Sequence, residues 1–175
     1  MFTSGPITEA SPKDLPAIAG LLNRAYRGES SKAGWTTEAN LINGTIRTDE
    51  AELEKVMKMR GSVLLKYNGT DGEIIGCVNL QQHGNKLYLG MLGVSPGLQG
   101  GGIGKQLLKA AEELAMVSHC QSIYMTVISL RDELINWYIR HGYRDTGERK
   151  KFAEDGKSGT HNQPLEFMVL EKKLS

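Results

Sequence analysis

Cysteine is almost missing from this chain. Cys77 and Cys120 are its only two, too few and too far apart for a disulfide framework or a four-ligand zinc site. No other set of histidine, cysteine and carboxylate has metal-ligand spacing, so no metal is expected. Charge of one sign is lacking as well: 21 basic against 20 acidic side chains leave a formal +1. That balance gives no field that would gather nucleic acid or anionic lipid, and neither is foreseen as a partner. No run approaches the roughly 20 apolar residues of a membrane span, and the opening MFTSGPITEASPKDL has neither a basic nor an apolar leader segment. A cytoplasmic location is the expectation. Repeats and low-complexity linkers are missing too, so residues 1–175 are read as one domain of ordinary globular composition.

What is present alternates between strand and helix patterns. After a strand near Ile7, Ser11 and Asp14 have the spacing of a capping box and Pro12 suits a first helical turn. Leu15, Ile18, Leu21, Leu22 and Tyr26 then recur at helical spacing. Arg27 to Gly34 reads as a loop, Thr36 or Thr37 as the cap of a short helix through Leu41, and Thr48 as the cap of a helix over Asp49 to Met59. Three strand-like segments, Ser62 to Tyr67, Ile74 to Leu80 and Leu87 to Val94, are separated by the turn formers NGTDGE and QQHGNK. An amphipathic helix over Ile103 to Val117, a strand over Ser122 to Ile128, a helix over Asp132 to Arg140 closed by Gly142, and a strand over Leu165 to Leu170 complete the pattern. Lys150 to Pro164 reads as an exposed loop.

The densest signal is LQGGGIGK at Leu98 to Lys105. Consecutive glycines let backbone approach a ligand where a Cβ would collide. The following helix presents unpartnered amides and the positive end of its dipole, which favours a diphosphate, with Lys105 as a nearby cation. The P-loop pattern fails, since Gln99 and Gln106 stand where glycine and Ser/Thr are required. The dinucleotide fingerprint fails too: begun at Gly100 it needs glycine at Lys105, and begun at Gly102 it needs glycine at Leu107.

What fits is QxxGxG from Gln99 through Gly102 to Gly104. The segment GMLGVSPGLQGGGIGKQLLKAAEELA resembles the acetyl-CoA motif of the Gcn5-related N-acetyltransferases, and LRDELINWYIRHGYRDTGE resembles that family's second block. The resemblance implies an α/β (α+β) fold: one mixed, mostly antiparallel central sheet of about six to seven strands flanked by about four to five helices. It also implies acetyl-CoA as cofactor, a small-molecule or peptide amine as acceptor, and a homodimer, since relatives commonly dimerise. Gln99, Gly100, Gly101, Gly102, Ile103, Gly104 and Lys105 would cradle the CoA diphosphate. Leu92, Gly93 and Val94, on a strand that splays in the family, would meet the pantetheine arm and the acetyl carbonyl, with backbone amides as an oxyanion hole.

By the same resemblance Tyr138 is the acid that protonates the departing thiolate, although its helical face with Leu134, Trp137 and His141 is equally that of a core residue. Arg131 stands where the family often has an asparagine that meets the cofactor. A guanidinium there can hold a phosphate or an anionic substrate group, or be solvated. The strand carboxylate that many relatives use as a base is missing from YLGMLGV. Glu38 is the candidate to hold an ammonium and relay its proton, against a plain helix-dipole role. Tyr26 and Trp35 can wall the acceptor groove or simply pack. A non-catalytic acyl-CoA sensor and a transferase for longer acyl chains remain open on these residues.

Overall fold

The computed structural model describes every residue except Trp35, on which one expected groove wall therefore falls outside the described residues. Eight strands form the main sheet: β1 (Thr3–Ser4), β2 (Ile7–Glu9), β4 (Ser62–Asn68), β5 (Ile74–His83), β6 (Lys86–Val94), β7 (Ser122–Ile128), β10 (Leu165–Lys173) and β8 (Arg144–Phe152), in that spatial order. β3 (Ile42–Asn43) and β9 (Thr160–His161) pair separately. Neighbours in the main sheet are antiparallel except β6 and β7.

The sheet is larger than the six to seven strands expected, because two edge strands carry no hydrophobic alternation. β8 is the instructive one. Lys150 belongs to it, not to a loop, and eight of its nine residues are exposed, so charge patterning hides a strand that backbone pairing with β10 creates.

Helix α1 (Leu15–Tyr26) starts as expected. The Ser11 amide donates to Asp14 Oδ2 at 2.8 Å, and Pro12 lies in a short 3₁₀ turn before the helix proper. Leu15, Ile18, Leu21, Leu22 and Tyr26 are all buried. Together with Leu53 of α3 (Glu50–Lys58), Leu64 and Cys77 they form the cluster on one face of the sheet. Leu65 and Val78, the alternate positions of the same strands, face the other cluster with α4 (Ile103–Val117) and α5 (Asp132–Arg140). The cap of α3 is Asp49, whose carboxylate accepts from the Glu52 amide at 2.8 Å, rather than Thr48.

Two local expectations fail between α1 and α3. A four-residue helix, α2 (Gly28–Ser31), occupies part of the supposed loop, and no helix forms from Thr36 to Leu41. Side chains there compete with helical bonding. The Thr36 hydroxyl donates to the Ala25 carbonyl at 3.2 Å and the Glu38 amide to the Tyr26 carbonyl at 2.8 Å, which ties the segment back onto the end of α1.

Candidate active site

Helix α4 begins where the glycine run ends. Gly102 is its N-cap with φ 86°, and Gly100 has φ 93°, left-handed conformations that cost other residues roughly 1–2 kcal/mol each. A Cβ at either position would meet nothing within 4 Å, so conformation selects glycine and the bare backbone opens outward. Gln106 makes the first helical bond, to the Gly102 carbonyl at 3.0 Å. The amides of Ile103, Gly104 and Lys105 precede it and have no acceptor within the helix.

These amides border a cleft of about 380 Å³. Of the residues that the resemblance assigns to the cofactor, Leu92, Val94, Gln99, Gly100, Gly102, Ile103, Gly104 and Lys105 line it. Gly93 and Gly101 do not. A Cβ at Gly93 would stand 2.9 Å from Leu22 Cδ2, so that glycine lets α1 pack on the sheet. Open backbone over unpartnered amides, with the exposed Lys105 and Arg140 at its margin, suits a diphosphate by charge and by space.

Sequence reasoning missed other parts of this cleft. Trp137 lines it, and a Cβ on Gly104 would sit 3.3 Å from its ring, so glycine at 104 admits the indole. His141 also lines the cleft, with Nδ1 2.7 Å from the Trp137 carbonyl. A carbonyl only accepts, so Nδ1 carries the proton. Gln99 is a cross-link as well as a lining residue: its Nε2 donates to Thr36 Oγ1 at 2.8 Å and to the Val94 carbonyl at 3.1 Å. A Cβ on Gly34 would fall 2.3 Å from Gln99 Oε1, so a larger residue there would displace the Gln99 amide.

β6 and β7 separate beside this cleft. Their parallel pairing runs only from Lys86 opposite Ser122 to Tyr88 opposite Tyr124. Against β5, β6 gains one extra residue between Gly90 and Gly93, a bulge in which Met91 adopts φ 53°. Beyond Tyr88 the β6 backbone therefore lacks a β7 partner, as the splayed strand of the resemblance implied. A second cavity of about 140 Å³ opens there and shares Leu92 with the first.

Tyr138 lines the second cavity, 4% exposed. Burial, reinforced by neighbouring Tyr26, pushes its phenol well above 10.0, with Arg131 opposing. It also packs on Trp137 and Tyr143, so this residue is part of the core and at the same time part of the cavity wall. Tyr26 lines the same cavity and donates its hydroxyl to the Leu92 carbonyl. Burial raises its phenol too.

Glu38 lines this cavity, but not as a free carboxylate. One oxygen accepts from Arg27 and the other from Arg131 at 3.0 Å, with Glu38 and both partners almost fully buried. Glu38 thus bridges two guanidinium groups and anchors Arg27 and Arg131 beside the cavity. Arg131 is corrected likewise. It does not line the cofactor cleft; it caps α5, pairs with Glu38, donates to the Thr36 carbonyl and faces the second cavity.

Among the described residues no helix is long and apolar enough to cross a membrane, and no group of three or more metal-ligating side chains converges. No curated protein matches the chain. Solved structures with the same fold include a ribosomal-protein-alanine N-acetyltransferase from Brucella melitensis, at 20% identity and TM-score 0.71 over 96% of this chain and 99% of that one. The ribosomal-protein-S18-alanine N-acetyltransferase from Escherichia coli follows at 13% identity and TM-score 0.71, over 97% and 93%. The PaiA N-acetyltransferase from Thermoplasma acidophilum, in complex with coenzyme A, has 19% identity and TM-score 0.66 over 96% and 98%. The family model described as "Acetyltransferase (GNAT) family" matches residues 23–143, from within α1 through the glycine turn to the end of the α5 block, and the chain belongs to that family.

Proposed function

We propose that this acetyl-CoA-dependent N-acetyltransferase transfers its acetyl group by direct attack of an amine bound in the second cavity. The observation that carries the reading is the meeting of the two cavities at Leu92, on the bulged part of β6 that β7 leaves unpaired. One cavity suits a diphosphate and the other is small and borders buried phenols, so cofactor and acceptor would approach the same backbone from opposite sides. Acetyl-CoA, when bound, supplies an activated thioester.

The chain's own residues would then divide the work. Amides of Ile103, Gly104 and Lys105 hold the diphosphate, and Trp137 walls the cleft. Backbone donors of the unpaired stretch of β6 polarise a carbonyl placed against them. Tyr138, an ordinary phenol in this respect, keeps its proton at neutral pH, and its hydroxyl can give that proton to a departing thiolate. No described side chain lining the second cavity is an imidazole or an unpaired carboxylate. The acceptor therefore binds as the free amine, its proton lost to solvent.

Calorimetry with coenzyme A, joined to a CoA-release assay over a panel of amines, tests this reading. Heat of binding and turnover with at least one amine are expected. Absence of binding by well-folded protein, or tight binding with no turnover across the panel, would overturn it.

A further inference from the structure

The second cavity holds more positive charge than its own side chains neutralise. Arg47 and Arg131 line it, Arg27 lies behind, and Glu38 is the one carboxylate among the described lining residues. Glu38 is shared between Arg27 and Arg131. Arg47 has no ion-pair partner among the described residues; its guanidinium carbon lies 4.5 Å from the Tyr26 ring centroid, and that of Arg131 lies 5.5 Å from the same ring. The remaining lining side chains are neutral at physiological pH.

Arg47 is also held in place. Asn23 Oδ1 accepts from the Arg47 amide at 2.7 Å and the Thr48 amide at 3.0 Å, while Asn23 Nδ2 donates to the Thr48 carbonyl at 3.1 Å. This clamp ties the backbone at Arg47 and Thr48 to Asn23 of α1, beside the cavity that Arg47 lines.

We propose that the acceptor is a small molecule carrying a carboxylate beside its amine, an amino acid or a close analogue, whose carboxylate is received by Arg47 and the cavity side of Arg131. The proposal deepens the acetyl-transfer reading and rests on it. Excess guanidinium charge in a semi-enclosed cavity attracts an anion and repels a second cation, which disfavours polyamines. A guanidinium's planar fork matches a carboxylate. The volume of about 140 Å³ is far below the few hundred Å³ that drug-sized ligands need, so a compact acceptor fits. A lysine or N-terminus within a polypeptide brings no carboxylate at the required position.

The test is acceptor binding to protein saturated with coenzyme A, which reports whether or not transfer follows. Free amino acids, their α-amides, the matching decarboxylated amines and aminophosphonates are titrated calorimetrically, and CoA release from acetyl-CoA is followed in parallel. At least one amino acid should bind and turn over roughly 10- to 100-fold better than its amide or amine. Arg47→Gln should remove that preference while the affinity for coenzyme A stays unchanged. Equal binding of acid and amide, better binding of an aminophosphonate, or no binding of any amino acid to the CoA-loaded protein overturns the proposal. Failure of the acetyl-transfer reading looks different: coenzyme A itself does not bind, or acceptors bind and never react.

Discussion

The Tyr26 hydroxyl donates to the Leu92 carbonyl and so ties the last turn of α1 to the bulged stretch of β6. The bond fixes the strand at the residue where both cavities meet. Removing the hydroxyl leaves a buried carbonyl without its partner. Tyr26→Phe should cost about 1–3 kcal/mol, read as a lower melting temperature, and should weaken acetyl-CoA binding because the strand backbone loses its restraint. An unchanged melting temperature would show that water replaces the phenol without loss.

Tyr138→Phe separates proton donation from packing. The ring keeps its contacts with Trp137 and Tyr143 while the donated proton is lost. The chemical rate should fall about 100-fold or more, with coenzyme A affinity within about twofold. Full turnover in pre-steady-state measurements would remove Tyr138 from the chemistry and leave it as core.

Gly102 is open on the side of the cleft and strained for any other residue. Gly102→Ala should lose roughly 1–2 kcal/mol of stability from its left-handed backbone with a modest loss of coenzyme A affinity. Gly102→Asp should abolish binding by setting a negative charge against the diphosphate, while circular dichroism still reports a folded chain. Retained binding by the aspartate variant would place the diphosphate elsewhere.

Much of this was legible in sequence because its physics is local. The Ser11–Asp14 box, the helical stripe of α1 and the Gln99–Gly102–Gly104 turn each declare themselves within a few residues, and each stands in the structure where the spacing put it. Tyr26, Glu38 and Arg131 were singled out in sequence and line one cavity, but their pairing was not legible, because it joins distant parts of the chain. Glu38 and Arg131 are ninety-three residues apart in the chain, and nothing local announces that they meet or that Arg27 joins them. Strand β8 stayed hidden for a related reason: its evidence is a backbone partner, β10, not a pattern of its own side chains.

Glu38→Gln tests the anchor. Replacing the carboxylate leaves Arg27 and Arg131 buried without a counter-charge, and breaking a buried pair in this way costs about 3–5 kcal/mol. The melting temperature should drop sharply and the acceptor KM should rise, since Arg131 loses its restraint. The pH dependence of residual activity should keep its shape. A profile that loses its ionisation in the variant would restore Glu38 as the proton acceptor.

The pH profile of the intact protein follows from the same arrangement. With deprotonation of the amine left to solvent, kcat/KM should rise with pH along the ionisation of the acceptor, and acceptors of lower amine pKa should move the rising limb to lower pH. A limb that stays fixed when the acceptor changes would instead report a protein group. At the alkaline end Tyr138 should hold its proton past the ordinary value of 10.0, because burial raises it. Stability turns over in that range. The phenols of Tyr26 and Tyr138 are raised in the folded chain, so their contribution is complete below the unfolded value of 10.0 and is lost as pH climbs through the folded values. Between 10.0 and the folded values the unfolded chain ionises its tyrosines first and is favoured. Denaturant midpoints should therefore be level in these residues up to about pH 10 and fall beyond it, and Tyr26→Phe should flatten part of that fall.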